Sequence, residues 1–382
     1  MSGNIIRLTD PDVSRRELDA VLEVLQSPRL SAGPVVERFE AEFAASLGRT
    51  YGIAVSSGTA ALLVALRALG IGPGDEVIAS PISWHHIAHA IALAGATATL
   101  ADIDYWSCTL APEKAASKIT PRTRAILAGN TNGHPAAWKA LRELADANGL
   151  HLLEDSTEAI GSVYLGRPVG SFGDLAIFDF SQPSALCCGE GAMIVTDDPD
   201  LATELAYHRS HGVDDRRSVS VGSRVPLQAL PSELNAALGL IQLERLDEIL
   251  LRRKRVEAWY LDHIQCFEGI KPPYLGPDVD EVHWFVYLVH LGTRFTRSAR
   301  NQILDDLATE DIEAAAFCNP LHLHYHYAQL GYAKRDFLVA EKIADRALAL
   351  PFHGHVTEEN IRFIVRTAKD SSINVGAGTA IY

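Results

Sequence analysis

Several short stretches of this 382-residue chain carry residue types that can do chemistry. Ser57-Gly58-Thr59 follows the apolar run Tyr51–Val55 and opens an apolar helical stretch reaching about Leu69. Free backbone N–H groups at such a helix start, with the positive end of the helix dipole, make a place for an anion. Asp155 follows the hydrophobic run His151–Glu154, at the carboxyl edge where ligands sit in open α/β sheets. In HLHYHY, His322, His324 and His326 alternate; on a strand they would share one face and could hold Zn or Ni. No cysteine or carboxylate partner is identifiable for them, so a solvated or interface histidine patch, and no metal site, is expected. Cys187 and Cys188 are adjacent and form no C-x-x-C motif, which favours small space-fillers over a nucleophilic thiol. The run Arg252-Arg253-Lys254-Arg255 reads as a solvated helix face or an intersubunit salt-bridge strip.

The elements that must position these residues alternate. Helical spacing predicts helices over 14–25, 35–47, 58–69, 87–94, 136–148 and 199–208. Between them lie short apolar runs at 52–55, 76–80, 97–102, 125–128, 151–154, 175–180 and 192–196. Strands separated by helices imply crossover connections and a mainly parallel sheet. A long helical pattern follows over Glu233–Tyr260, and beyond Pro272 the pattern changes. His283–Leu291 reads as a strand, and 300–308, 340–348 and 357–368 as helices. The expected organisation is a large α/β domain over 1–250, a smaller α+β domain over 251–370 and a loose tail over 371–382.

Composition excludes several classes. Hydrophobic residues are 47% and charged residues 21%, ordinary for a globular protein. A net charge of −14 speaks against nucleic acid as a partner. Five cysteines form no disulfide framework and suit a reducing compartment. The start MSGNIIRLTDPDV lacks the apolar core of a signal peptide. The longest weakly polar stretch, 87–101, is about 15 residues, too short to span a bilayer. A cytoplasmic protein that is not bound to a membrane is expected.

With these elements in place, the chain resembles the DegT-type sugar aminotransferases, vitamin-B6 enzymes of fold type I, over about residues 5–370. The resemblance rests on SPRLSAGP at 27–34, SGTAAL at 57–62, GPGDEVI at 72–78, Gly95–Asp104, Glu154-Asp155 with Gly161, and Gly189-Glu190-Gly191. It continues through His211-Gly212, Glu233–Gly239 with Gln242-Leu243, Pro320-Leu321-His322 and Leu350-Pro351. It implies a seven-stranded, mainly parallel sheet, a homodimer and a site at the dimer interface. It also implies that Gly58 and Thr59 hold the cofactor phosphate, that Trp84 stacks on the pyridine ring and that Asp155 pairs with the pyridine nitrogen.

The pattern then breaks. Counting back from Gly189-Glu190-Gly191 puts Ser184 where the family carries its Schiff-base lysine, and a serine cannot form an imine. The nearest lysines in sequence are Lys139 and Lys254. Asp179 stands at the family's phosphate-contacting serine. A carboxylate about 4 Å from a phosphate charge costs on the order of 4 kcal/mol at an effective dielectric of about 20. Asn130 and Phe317 stand at usual histidines, Glu158 at a usual Gln, and Gln228 and Leu230 where an Asn and an Arg normally enter from the neighbouring subunit.

These departures lead to the expectation of a divergent member without ordinary transamination and without a covalently held cofactor. Three readings stay open. The first is a cofactor-independent enzyme in sugar or natural-product biosynthesis, acting on a sugar-like or planar small molecule. It would reuse Trp84 as a stacking face and draw its acid–base groups from Asp155, Glu158, Asp179, Ser184 and His85, with His86 alongside. The second is an inactive subunit partnering an active aminotransferase. The third is an enzyme, such as a dehydratase, that binds PLP or PMP without a covalent bond. The Asp179 carboxylate is further expected to take the place of the phosphate, accepting hydrogen bonds from the amides of Gly58 and Thr59 or from the Thr59 side chain.

Overall fold

The computed structural model describes residues 5–181, 184–211, 225–264 and 270–378. Its centre is a seven-stranded sheet built from β1 (Tyr51–Val55), β2 (Glu76–Ala79), β3 (Thr97–Leu100), β4 (Thr123–Gly129), β5 (His151–Asp155), β6 (Leu175–Asp179) and β7 (Ala192–Thr196). The spatial order is β1-β7-β6-β5-β4-β2-β3. Neighbours from β3 through β6 are parallel, and β7 runs antiparallel between β6 and β1. The seven strands fall where the apolar runs predict them, and the fold is the expected mainly parallel α/β architecture.

Both faces of the sheet are covered, so the strands are apolar almost throughout. One face carries Ile53, Val55, Leu127, Leu153, Leu175, Ile177 and Ile194 against the helices Gly58–Ala68, His85–Leu93 and Pro199–Arg209. On the other face Ala176, Phe178, Met193 and Val195 meet Phe39 and Phe43 of the helix Pro34–Ser46. Farther along that face Ile126, Ala128 and Leu152 meet Leu141 and Ala145 of the helix Trp138–Asn148. Side chains alternate along a strand, so Asp155 and Asp179, in step with Leu153 and Ile177, point to the face that carries Gly58–Ala68 and His85–Leu93.

The helical pattern 233–260 is two helices, Glu233–Glu244 and Leu246–Ile264, broken at Arg245. The break lets the buried Arg245 reach Asp12, at 2.8 Å, and Glu17 near the N-terminus. In the basic run that follows only Arg255 is exposed. Arg252 holds Asp12, while the buried Arg253 donates to the carbonyls of Trp284 and Phe285 at 2.7 and 2.8 Å. Lys254 donates to the Val282 carbonyl at 2.6 Å. A second sheet, of Ile270–Lys271, Tyr287–Leu291, Ala347–Leu350 and Ala315–Ala316, packs its own core around the stacked rings of Tyr260 and Tyr287, 3.9 Å apart. Residues 347–350, partly expected to be helical, are a strand that pairs with Tyr287–Leu291. The strand expected over His283–Leu291 begins only at Tyr287. The helix Glu358–Gly378 continues through most of the segment expected to be a loose tail, burying Ser371 and Ser372. No helix among the described residues is long and apolar enough to cross a membrane.

One buried carboxylate ties the N-terminal helices to this frame. Glu233 accepts hydrogen bonds from the amides of Gly33, Val35 and Val36, at 2.9, 3.0 and 3.1 Å, which would otherwise be unsatisfied at the start of Pro34–Ser46. Glu233→Ala orphans these donors and is expected to lower the unfolding free energy by about 2–4 kcal/mol, read as a shift of the urea midpoint. Glu233→Gln, which keeps an acceptor, should lose less.

Candidate functional site

The expected site residues gather at the carboxyl ends of β4, β5 and β6. Thr157 sets their spacing. Its amide donates to Asp155 Oδ1 at 3.1 Å, and its hydroxyl accepts from the Asp179 amide at 3.0 Å. Between the two aspartates lies His86, from the first turn of His85–Leu93 and only 4% exposed. His86 Nε2 is 2.8 Å from Asp155 Oδ2, and His86 Nδ1 is 3.9 Å from Asp179 Oδ2. The result is a buried carboxylate–imidazole–carboxylate array.

Its electrostatics follow from that geometry. Burial disfavours the charged form of His86, but facing Asp155, then Asp179 and Glu158, it holds its proton above the ordinary imidazole range. Burial likewise opposes ionisation of Asp155, and the His86 pair outweighs it, so the Asp155 carboxyl titrates below its usual range. Glu158 accepts from the Asn132 amide, yet burial pushes its carboxyl up to about 7. Environments that separate the carboxyl groups in this way suit acid–base work.

Trp84, Asp155 and Glu158 together line a small cavity of about 20 Å³. The Trp84 ring stands edge-on to Phe285, with centroids 6.2 Å apart. Ser57 caps the helix Gly58–Ala68 by accepting from the Ala60 amide at 3.2 Å. Gly58 then meets Asp179 so closely that a Cβ there would collide with the carboxylate. The carboxylate does reach the helix start, but the hydrogen bond it accepts comes from the Ser181 amide at 2.9 Å rather than from Gly58 or Thr59. Ser184 lies partly buried, its hydroxyl donating to the Leu186 carbonyl at 2.9 Å. The side chain of His85 lies outside the described residues.

Sequence reasoning noticed His86 only as a neighbour of Trp84. The available signal was its place one helical turn before the buried Ala90. Thr157 gave no signal of its own. The other histidines do not converge: His322 is buried against Glu341 at 3.1 Å, whereas His324 turns to the Asn319 carbonyl. So His322 is neither solvated nor without a carboxylate partner. Among the described residues no group of three potential ligands could hold a metal ion. Cys188 is fully enclosed and its thiol is pushed well up by burial, the behaviour of a filler.

This chain belongs to the DegT/DnrJ/EryC1/StrS aminotransferase family, which it matches over residues 11–369. It is 35% identical over 365 residues to GDP-perosamine synthase of Caulobacter vibrioides, covering 94% of this chain and 96% of that protein. It is 37% identical over 345 residues to dTDP-3-amino-3,4,6-trideoxy-alpha-D-glucose transaminase of Streptomyces venezuelae, covering 90% and 88%. In fold it matches Spr1654 of Streptococcus pneumoniae in its PLP form, with a TM-score of 0.91 and 24% identity over 97% of this chain and all of that one.

These relatives overturn the expectation of a protein without ordinary transamination, whether cofactor-independent, an inactive partner or limited to a non-covalent cofactor. Similarity at this level to a named transaminase points to transamination. Asn130 and Glu158 do line the cavity beside Trp84, but several of the departures carry roles of their own in the fold. Asn130 is a buried structural hub, donating to Glu154 and Ser156 and accepting from the Ala136 amide and the Trp138 indole at 2.8–3.0 Å. Phe317 packs against the main core, and Gln228 lies exposed on a left-handed turn.

Two pH effects follow. His86 has a raised folded pKa, so its contribution to stability is complete below the unfolded value near 6.5 and is lost as pH rises through the folded value. The melting temperature lost on His86→Gln should therefore be largest near pH 6 and shrink towards pH 9. Glu158, raised from 4.5 to about 7, carries the opposite sign: its penalty is absent below about 4.5 and full above about 7. Glu158→Gln should leave melting unchanged at pH 4 and raise it by about 2–5 °C at pH 8 in a thermal scan.

Proposed function

We propose that this chain is a sugar aminotransferase that moves an amino group onto a keto-sugar linked to a nucleotide, in sugar or natural-product biosynthesis, as a homodimer. The observation that carries the reading is the 37% identity, over nine-tenths of the chain, to a transaminase named for a dTDP-linked amino sugar. The GDP-linked product named for the Caulobacter relative supports the same substrate class. The cofactor class is PLP and PMP, the forms in which the similarly folded Spr1654 was solved. A cytoplasmic setting is supported by the unpaired state of Cys108, Cys187, Cys188 and Cys318.

The pocket as it stands in this structure does not fit that cofactor. Asp155 is paired to His86, the face of Gly58 is covered by Asp179, and the cavity that Trp84, Asp155 and Glu158 line is about 20 Å³, room for roughly one water. Residue 184 brings a hydroxyl where the family brings an amine. What the chain's own groups supply is acid–base capacity: Glu158 titrates near neutrality, and His86 holds a proton between two carboxylates.

The test is a direct one. Purified protein with PLP, an amino-acid donor and a nucleotide-linked keto-sugar should yield the amino sugar, detected by mass. A folded wild-type protein that makes none, beside a Ser184→Lys variant that does, would overturn the reading for this chain. Sedimentation at micromolar concentration should give a dimer, as an obligate interface of roughly 2,000 Å² or more requires.

A further inference from the structure

We propose that His86, clamped between Asp155 and Asp179, is a side-chain plug that keeps this pocket shut against a phosphorylated pyridine. Such a ligand binds only after His86 leaves Asp155. The inference rests on the reading of this pocket as the cofactor's place, and adds what this chain does to it.

Three observations converge. First, both oxygens of Asp155 are already engaged, Oδ2 with His86 at 2.8 Å and Oδ1 with the Thr157 amide at 3.1 Å. A ring nitrogen seeking Oδ2 competes there with the imidazole for the same oxygen. Secondly, the opposite end is covered too. Asp179 lies so close to Gly58 that even a methyl group would not fit, and an incoming phosphate would meet a like charge there. His86 links the two ends, because its Nδ1 faces Asp179 Oδ2 at 3.9 Å. Thirdly, the cavity that Trp84 lines with Asp155 and Glu158 is about 20 Å³, while the His86 ring lies between the two aspartates, 2.8 Å from one and 3.9 Å from the other. Groups that face His86 are Asp155 on β5, Glu158 just beyond it and Asp179 on β6, and all three favour a cation in place.

The plug can move without unfolding the site. His86 is the second residue of its helix, in the turn whose amides have no intrahelical partner. Asp155 and Asp179 stay fixed on sheet strands whichever way the imidazole turns. A ligand that must first open such a pocket binds with its affinity divided by the scarcity of the open form.

The experiment is calorimetric titration of PMP, which has no aldehyde and is read without covalent chemistry, into wild type, His86→Ala and Asp179→Ser. His86→Ala should bind PMP at least about tenfold more tightly than wild type, and should keep that gain with pyridoxamine, which lacks the phosphate. Asp179→Ser should also gain with PMP but not with pyridoxamine, since it opens only the anion end. It serves as the second variant if His86→Ala melts at the assay temperature. Equal PMP affinity in all folded proteins would overturn the plug and leave the proposed transamination standing, to be judged by its product. Absence of PMP binding in every folded protein would overturn both.

Discussion

The geometry of the site depends on one buried carboxylate that does no chemistry. Glu154 is wholly enclosed, and accepts from Asn130 Nδ2 at 3.0 Å, from the Ser156 hydroxyl at 2.8 Å and from the amides of Gly170, Phe172 and Gly173. A buried charge survives when its lone pairs are met in this way. Because side chains alternate along β5, fixing Glu154 to one face drives Asp155 to the other. Asn130 closes the same network onto Trp138, so the end of β4, the loop 170–173 and the end of β5 form one hydrogen-bonded block. The functional face inherits its order from the opposite one.

On that functional face the balance is electrostatic. Three carboxyl groups and one imidazole share a space almost without solvent. Asp155 stays ionised because His86 faces it, and Glu158 is driven towards its neutral form by burial, which outweighs the pull of His86. The start of Gly58–Ala68 lies against Asp179, so the positive end of the helix dipole falls on that carboxylate. A pocket with this much negative charge rewards any cation that enters it, and His86 is the nearest.

Much of this was legible in the sequence, for identifiable reasons. The seven strands are short apolar runs bounded by helices and turn residues, and burial on both faces left few polar residues to blur them. The helix start at Ser57-Gly58-Thr59 and the strand-end Asp155 announced themselves by local rules. The break at Arg245 did not, because it is imposed by Asp12 and Glu17, over two hundred residues earlier. The role of Asn130 was hidden likewise: its partners lie on two other segments, 136–138 and 154–156, so it read as a damaged pocket residue. The part His86 plays was missed because the direction in which it points is decided by helix phase against the sheet.

The antiparallel strand β7 has a kinetic meaning. β1 hydrogen-bonds to no other strand of the sheet, its register running from Tyr51↔Thr196 to Val55↔Ala192. Just before β7, Gly191 takes φ 129°, a backbone conformation that residues with a side chain rarely adopt. The helix that carries Gly58 thus hangs from a strand that has no place until residues 192–196 arrive. Contacts of such long sequence separation form late. During synthesis Asp155 and His86 can meet before residues 192–196 are made, but the closure against Gly58 waits for β7, so the shut pocket is completed later than the pair that plugs it.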